Sequence, residues 1–294
     1  MNKLESIRVA TDFSEHGEHA VRRAALLGTE LGLESGLLFH VLDPHRIRSV
    51  RELLPWLGEL QEHAEQHVRE KLDRLAGEVQ RETGFVFNTE IREGRVASEL
   101  LRDTGSGDLV VIGGKGRHSL GQIGLGSSAE RVIRKSGQSV LVVNRQPSQG
   151  YRRVVVPVDF SEDSAAALQL ARKVAPGAQL YVLHAWPPLP RESEGFAGIS
   201  DEDVERYGRE VREQAQQQMD ALLARCGLEE DAVQRLMQHD YAASFICQQA
   251  RALGADLVVM GKHGHSQLAD WLIGSVTTHV LNHCDSDMLV TRAG

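Results

Sequence analysis

The sequence predicts an α/β protein of two tandem, doubly wound, five-stranded parallel-sheet domains, arranged as an internal pseudo-dimer. Three observations predict it: an internal duplication, an alternation of short apolar runs with helical patterns in each copy, and apolar runs too continuous for strands with one wet face. The duplication is direct. "VATDFSE" at 9–15 returns as "VPVDFSE" at 156–162, "LLFHV" at 37–41 as "YVLHA" at 181–185, and "GDLVVIG" at 107–113 as "ADLVVMG" at 255–261. Three matches in one order, in a chain of 294 residues, make two domains each long enough to bury a core. The seam is "NRQPSQGY" at 144–151, a polar stretch with Pro147 and Gly150, so the expected domains are 1–146 and 151–294.

In the first copy, apolar runs place strands at 6–10, 35–41, 85–91, 108–112 and 139–143. Helical periodicity places helices at 15–32, 57–83, 96–103 and 127–135. The first helix has Ser14 as N-cap and Ala20, Ala24, Leu27 and Leu31 along one face. Strands that alternate with helices need right-handed crossovers, which give a parallel sheet covered on both sides. The second copy repeats the scheme, with strands at 153–158, 179–184, 232–237, 256–260 and 287–290. It adds "WPPLPRESEGFAGIS" at 186–200, too rich in proline and glycine for regular structure and read either as a cover over the strand ends or as a surface connection. Ser200 with Asp203 then forms a capping box for a long helix bearing Val204, Tyr207, Val211, Ala215 and Leu222.

Composition narrows the function classes. A net charge of −8 opposes a phosphodiester backbone, so nucleic acid is not an expected partner. The chain has no apolar run of spanning length and opens directly into a strand pattern, which implies no membrane partner and a cytoplasmic location. Cys226, Cys247 and Cys284 lack metal or redox spacing and are expected as reduced, mostly buried thiols.

The chemistry should lie where such a sheet binds ligands, beyond the carboxyl ends of its strands. "VVIGGKGRHSLGQIGLGSS" follows the fourth strand and sets Gly113, Gly116, Gly126 and Ser127 at spacings that recur as Gly261, Gly264, Gly274 and Ser275. Glycines let the backbone turn and approach a ligand, leaving amide donors pointing into one cavity. The last glycine and serine open a helix, whose free amides and dipole favour an anion such as phosphate. Asp12 and Asp159 end the first strand of each copy, placed to accept from a ribose hydroxyl or adenine amino group, or to hold an Asx-turn.

"DFSE" after the first strand, "HV" after the second and the glycine signature after the fourth resemble the universal stress protein family, in a tandem member with the ATP-binding motif in both halves. The resemblance implies a Rossmann-like, adenine nucleotide alpha hydrolase-like fold and ATP, ADP or AMP as ligand, with or without Mg²⁺. It assigns the first nucleotide to Ala10, Asp12, Val41, Ile112, Gly113, Gly116, Gly126, Ser127 and Ser128. The matching second set is Pro157, Asp159, Ala185, Met260, Gly261, Gly264, Gly274, Ser275 and Val276. Pro157 for Ala10 and Val276 for Ser128 depart between the copies, so the two sites are expected to differ in affinity. The implied role is a nucleotide-dependent regulatory or protective module in the stress response, with a protein partner the sequence does not name.

A P-loop is absent, because neither Lys115 nor Lys262 is followed by Ser or Thr. Of the acidic residues, only Asp270 falls inside a glycine loop, and Gln122 stands in its place in the other. Binding is therefore expected rather than fast turnover, the alternatives being a slow ATPase, an adenylyl-transferring enzyme of related fold, or a scaffold with relic motifs. "HGH" at 263–265 follows the wrong strand for a nucleotidyltransferase. His239, His263, His265, His279, His283 and Cys284 match no standard zinc spacing. His40 and His184, at strand ends, are expected to pack or bond locally. Lys115 and Lys262 are candidate neighbours of a phosphate, and the last strand of each half is a candidate edge for association of two chains.

Overall fold

The computed structural model describes residues 4–42, 58–116, 124–186, 200–264 and 272–293. The first half runs β1 (Ser6–Ala10), α1 (Glu15–Glu30), β2 (Ser35–Leu42), α2 (Gly58–Thr83), β3 (Val86–Glu93), α3 (Val96–Leu101), β4 (Asp108–Gly113), α4 (Ser127–Lys135) and β5 (Ser139–Val143). The second runs β6 (Arg153–Pro157), α5 (Glu162–Val174), β7 (Gln179–Trp186), α6 (Asp201–Arg225), a 3₁₀ turn at Glu230–Ala232, β8 (Val233–His239), α7 (Ala242–Ala252), β9 (Leu257–Gly261), α8 (Ser275–His283) and β10 (Asp287–Thr291).

The ten strands form one sheet in the order β3-β2-β1-β4-β5-β10-β9-β6-β7-β8. Within each half all pairings are parallel, and the order reverses between β1 and β4 and again between β6 and β9. The seam is antiparallel: Met288 faces Val142, Leu289 faces Leu141 and Val290 faces Val140. Leu141 and Leu289 are counterparts in the repeat, so a pseudo-twofold axis passes through that pair. The last strand of each half, expected as an edge open to a second chain, is instead the centre of the sheet. Satisfying both edges internally is cheaper than leaving two rows of amides and carbonyls unpaired.

Apolar residues on both faces explain the continuous strand runs. Ile7, Val9, Leu109, Val111, Leu141, Val154 and Val156 pack under α1, α2, α5 and α6. Their neighbours Val110, Ile112, Val140, Val142, Val155 and Val258 pack under α3, α4, α7 and α8. Each such side chain contributes roughly 1.5–3 kcal/mol on burial, enough to outweigh any local preference for helix.

The helix ends follow their capping residues. Ser14 accepts the Gly17 amide at 3.2 Å, and Ser200 and Asp203 close the predicted capping box. Helix α1 ends at Glu30, two residues early, because Gly32 takes φ +65° and the Leu33 amide turns back to the Gly28 carbonyl at 2.9 Å. Strand β3 begins one residue later than predicted, and both edge strands run two residues further, because each stays paired in register to its neighbour's last residue, Glu93 with Leu42 and His239 with Trp186. The expected apolar face of α6 is buried only from Ala215 onward; Val204 is 43% exposed, beyond the reach of the sheet. Residues 187–199 of the expected cover lie outside the described residues.

The cysteines are unpaired, but only Cys226 is buried; Cys247 and Cys284 are half-buried. Burial, helped by Cys284, pushes the Cys247 thiol up to about 11. Its thiolate should be about one part in a thousand at about pH 8, so alkylation should run roughly a hundredfold slower than for an exposed thiol. Mass spectrometry after timed iodoacetamide treatment checks this. Labelling at the rate of a free thiol would contradict the packing.

Candidate functional site

In each half the turn after β1 or β6 lies against the glycine loop after β4 or β9, at the topological switch point. The two turns are built alike. Phe13 and Phe160 sit in the left-handed region at φ 57° and φ 67°, a conformation that strains an aromatic residue by about 1–3 kcal/mol. The strain is offset on two sides. Phe13 stacks on His40 with ring centroids 4.9 Å apart, and Phe160 packs tilted against His184 at 4.3 Å. Each histidine bonds the strand end through Nδ1, His40 at the Thr11 carbonyl and His184 at the Val158 carbonyl, both at 2.8 Å. These histidines are therefore local fasteners, as expected, whereas nothing in the residue type announced the left-handed phenylalanines.

The kink aims the aspartates. Asp12 Oδ1 accepts the Ser14 amide at 3.0 Å, and Asp159 Oδ1 accepts the Ser161 amide at 3.1 Å, which is the Asx-turn reading. The other oxygen faces the glycine loop in both halves. A Cβ added to Gly116 would stand 3.0 Å from Asp12 Oδ2, and one added to Gly264 would stand 2.5 Å from Asp159 Oδ2. Gly113 and Gly261 allow the loops to pass against the first turn of α1 and α5, where an added Cβ would meet the His16 carbonyl at 2.7 Å or the Asp163 Cβ at 2.6 Å. Only glycine fits there.

The loops close on themselves identically, with the Gly126 amide donating to the Gly114 carbonyl at 2.7 Å and the Gly274 amide to the Lys262 carbonyl at 2.9 Å. Gly126 and Gly274 are the N-caps of α4 and α8, so Ser127 and Ser275 are exposed first-turn residues at the positive end of a helix dipole. Ser128 is exposed beside Ser127, while Val276 packs against the core. The floor is apolar: Ala10, Ile112, Pro157 and Met260 are buried at the strand ends. Val41 and Ala185 are half-buried near the ends of β2 and β7. All eighteen expected residues thus lie at or just beyond the carboxyl ends of β1, β2, β4, β6, β7 and β9, or at the start of α4 and α8. Residues 117–123 and 265–271, including Gln122, His265 and Asp270, lie outside the described residues.

Other residues were not anticipated. In the first half Thr11 Oγ1 accepts the Phe13 amide at 3.0 Å, in space left by Gly17, whose added Cβ would stand 2.9 Å away. In the second half the hydroxyl has moved to the helix: Ser164 accepts the Asp159 amide at 2.9 Å and donates to Asp159 Oδ1 at 2.6 Å. The paired exchange of Thr11 and Gly17 for Val158 and Ser164 keeps one hydroxyl under each turn.

Lys262 is a correction. Its side chain is buried and donates to the Arg134 and Ser136 carbonyls at 2.9 and 3.1 Å, at the C-terminal end of α4. A lysine satisfies the carbonyls and dipole of a helix end. Reciprocally, Asn282 near the end of α8 accepts the Leu125 amide at 3.0 Å, just before the first loop meets α4. Among the described residues, no group of three or more His, Cys, Asp or Glu side chains is placed to hold a metal ion. No helix among them is long and apolar enough to cross a membrane.

Comparison with known proteins agrees with this duplication. The family model described as "Universal stress protein family" matches twice, over residues 3–144 and 150–292. A universal stress protein of Mycolicibacterium smegmatis is 28% identical, the match covering 97% of this chain and 96% of that protein. Universal stress protein MJ0577 of Methanocaldococcus jannaschii is 31% identical over 49% of this chain and 97% of its own length. Among solved structures, a universal stress protein from Archaeoglobus fulgidus superposes with a TM-score of 0.68 at 20% identity, covering all of both chains.

Proposed function

The chain belongs to the universal stress protein family, and from that premise we propose that each half holds the adenosine part of an adenine nucleotide in its switch-point crevice. The observation that carries the reading is the constellation built twice: a carboxylate aimed by a strained turn, facing a glycine loop that ends at a helix N-terminus. The chemistry of the parts fits the ligand. Asp12 and Asp159 accept from ribose or adenine donors, the apolar floor takes the base, and the loop amides with the first turn of α4 or α8 meet phosphate. On this reading the chain is a nucleotide-dependent regulatory or protective module, with ATP, ADP or AMP as ligand.

Gly116→Val and Gly264→Val test it. Each added side chain collides with an aspartate oxygen that the family of contacts above fixes in place. Calorimetric titration of the nucleotide-stripped chain with ATP, ADP, AMP and adenosine should show adenosine at two sites and a phosphorylated nucleotide at one or both, each site weakened about a hundredfold or more by its own variant alone. No binding, or binding that survives in the double variant, would sink the proposal.

A further inference from the structure

Among the described residues beside the two loops, one aligned position is acidic in the second half alone. After the shared "DFSE" the first half continues with His16 and the second with Asp163. Asp163 lies in the first turn of α5, only 13% exposed, and reaches into the second glycine loop. Its Oδ2 accepts the His263 amide at 3.1 Å and its Oδ1 accepts the Ala293 amide at 2.7 Å. His263 also sets its Nδ1 3.6 Å from Oδ2, with Nε2 2.8 Å from the Leu272 carbonyl. In the first loop the amide matching that of His263 belongs to Lys115, and it donates to no described residue.

A carboxylate that accepts a loop amide stands where a phosphate oxygen would. We propose that Asp163 is a built-in anion that makes the second crevice selective for the uncharged nucleoside, leaving the first as the phosphate-binding site. This rests on the reading that both crevices take adenosine. A phosphate entering the second loop meets a like charge in a half-enclosed setting, and one of its donors is already committed. A nucleoside makes no such demand, because the aspartate and the apolar floor are common to both halves. Pro157 for Ala10 changes shape, Val276 for Ser128 removes a hydroxyl and His263 for Lys115 removes a lysine cation, and none of the three places an anion in the crevice as Asp163 does.

The experiment is a titration of the nucleotide-stripped full chain with ATP and with adenosine, in the wild type, Asp163→Asn, Asp163→His and His16→Asp. Circular dichroism and thermal unfolding of each variant establish that it is folded. The wild type should bind one ATP tightly, lost in Gly116→Val, and two adenosines. Either substitution of Asp163 should tighten ATP at the second site by about tenfold or more, with adenosine changed by no more than about threefold. His16→Asp should weaken ATP at the first site by a similar factor. Two equal ATP sites in the wild type, or an unchanged second site in both folded Asp163 variants, would overturn the assignment. If neither ATP nor adenosine binds anywhere, the nucleotide reading itself fails and takes this inference with it.

Discussion

Asp287→Ala is expected to destabilise the protein by about 3–5 kcal/mol. Asp287 is fully buried at the start of β10 and gathers donors from three parts of the chain. Arg23 Nε on α1 lies 3.2 Å from Oδ2, the Tyr151 hydroxyl donates to Oδ2 at 2.8 Å, and the Asn144 and Arg145 amides donate to Oδ1 at 2.9 and 3.1 Å. Arg23 also donates to the Gln149 carbonyl at 2.8 Å and stacks over the Tyr151 ring at 4.0 Å. Removing the carboxylate strands the guanidinium of Arg23, a residue only 5% exposed, together with a hydroxyl and two amides. The double variant Arg23→Leu, Asp287→Leu should recover much of the loss, because it removes the desolvated charges together. Urea unfolding of the two single variants and the double variant checks this, and purely additive losses would contradict a coupled cluster.

The same cluster sets a pH dependence. Burial raises the Asp287 carboxyl above its ordinary 3.8, against the opposing pull of Arg23, Tyr151 and the two amides. A raised folded value means that the folded state holds the proton more tightly. Its contribution to stability is full below about 3.8 and is lost as the pH rises through the folded value. Relative to Asp287→Asn, the wild type should lose stability on going up through that acidic window and change little beyond it.

Leu141→Asp is expected to abolish the folded state or lower its stability by more than about 4 kcal/mol. Leu141 is fully buried and pairs across the antiparallel seam with Leu289, which is 1% exposed. A carboxylate there would be desolvated within the apolar layer under α1 and α5. Since the two leucines are counterparts across the pseudo-twofold axis, Leu289→Asp should match it closely, while Leu141→Met should change stability by less than about 1.5 kcal/mol. Thermal unfolding of the three variants decides the matter. A wild-type midpoint for Leu141→Asp would mean that the seam is not where the halves are held. The Asp287 cluster behaves differently, for its repeat counterpart Ser139 only meets the Thr291 hydroxyl at 2.9 Å. Symmetry holds along the sheet and breaks where the single linker crosses.

The amino-acid sequence by itself determined the two doubly wound halves and the glycine loops repeated at their strand ends. Apolar runs buried on two faces, Ser14 and Ser200 as caps, and glycines at fixed spacing are local signals, each read within a few residues of where it acts. What only the tertiary structure decided lies between segments far apart in the chain. Nothing in "SVLVV" or "DMLVT" states that β5 pairs with β10, since either strand is equally apolar with its edge open or closed. Lys262 reads as a loop lysine until the end of α4 is brought beneath it. The change from His16 to Asp163 is visible in the aligned repeats, yet not that Asp163 meets the His263 amide, a hundred residues away. Periodicity records which face of an element is apolar. Which donor meets which acceptor across a crevice depends on packing that no local pattern contains.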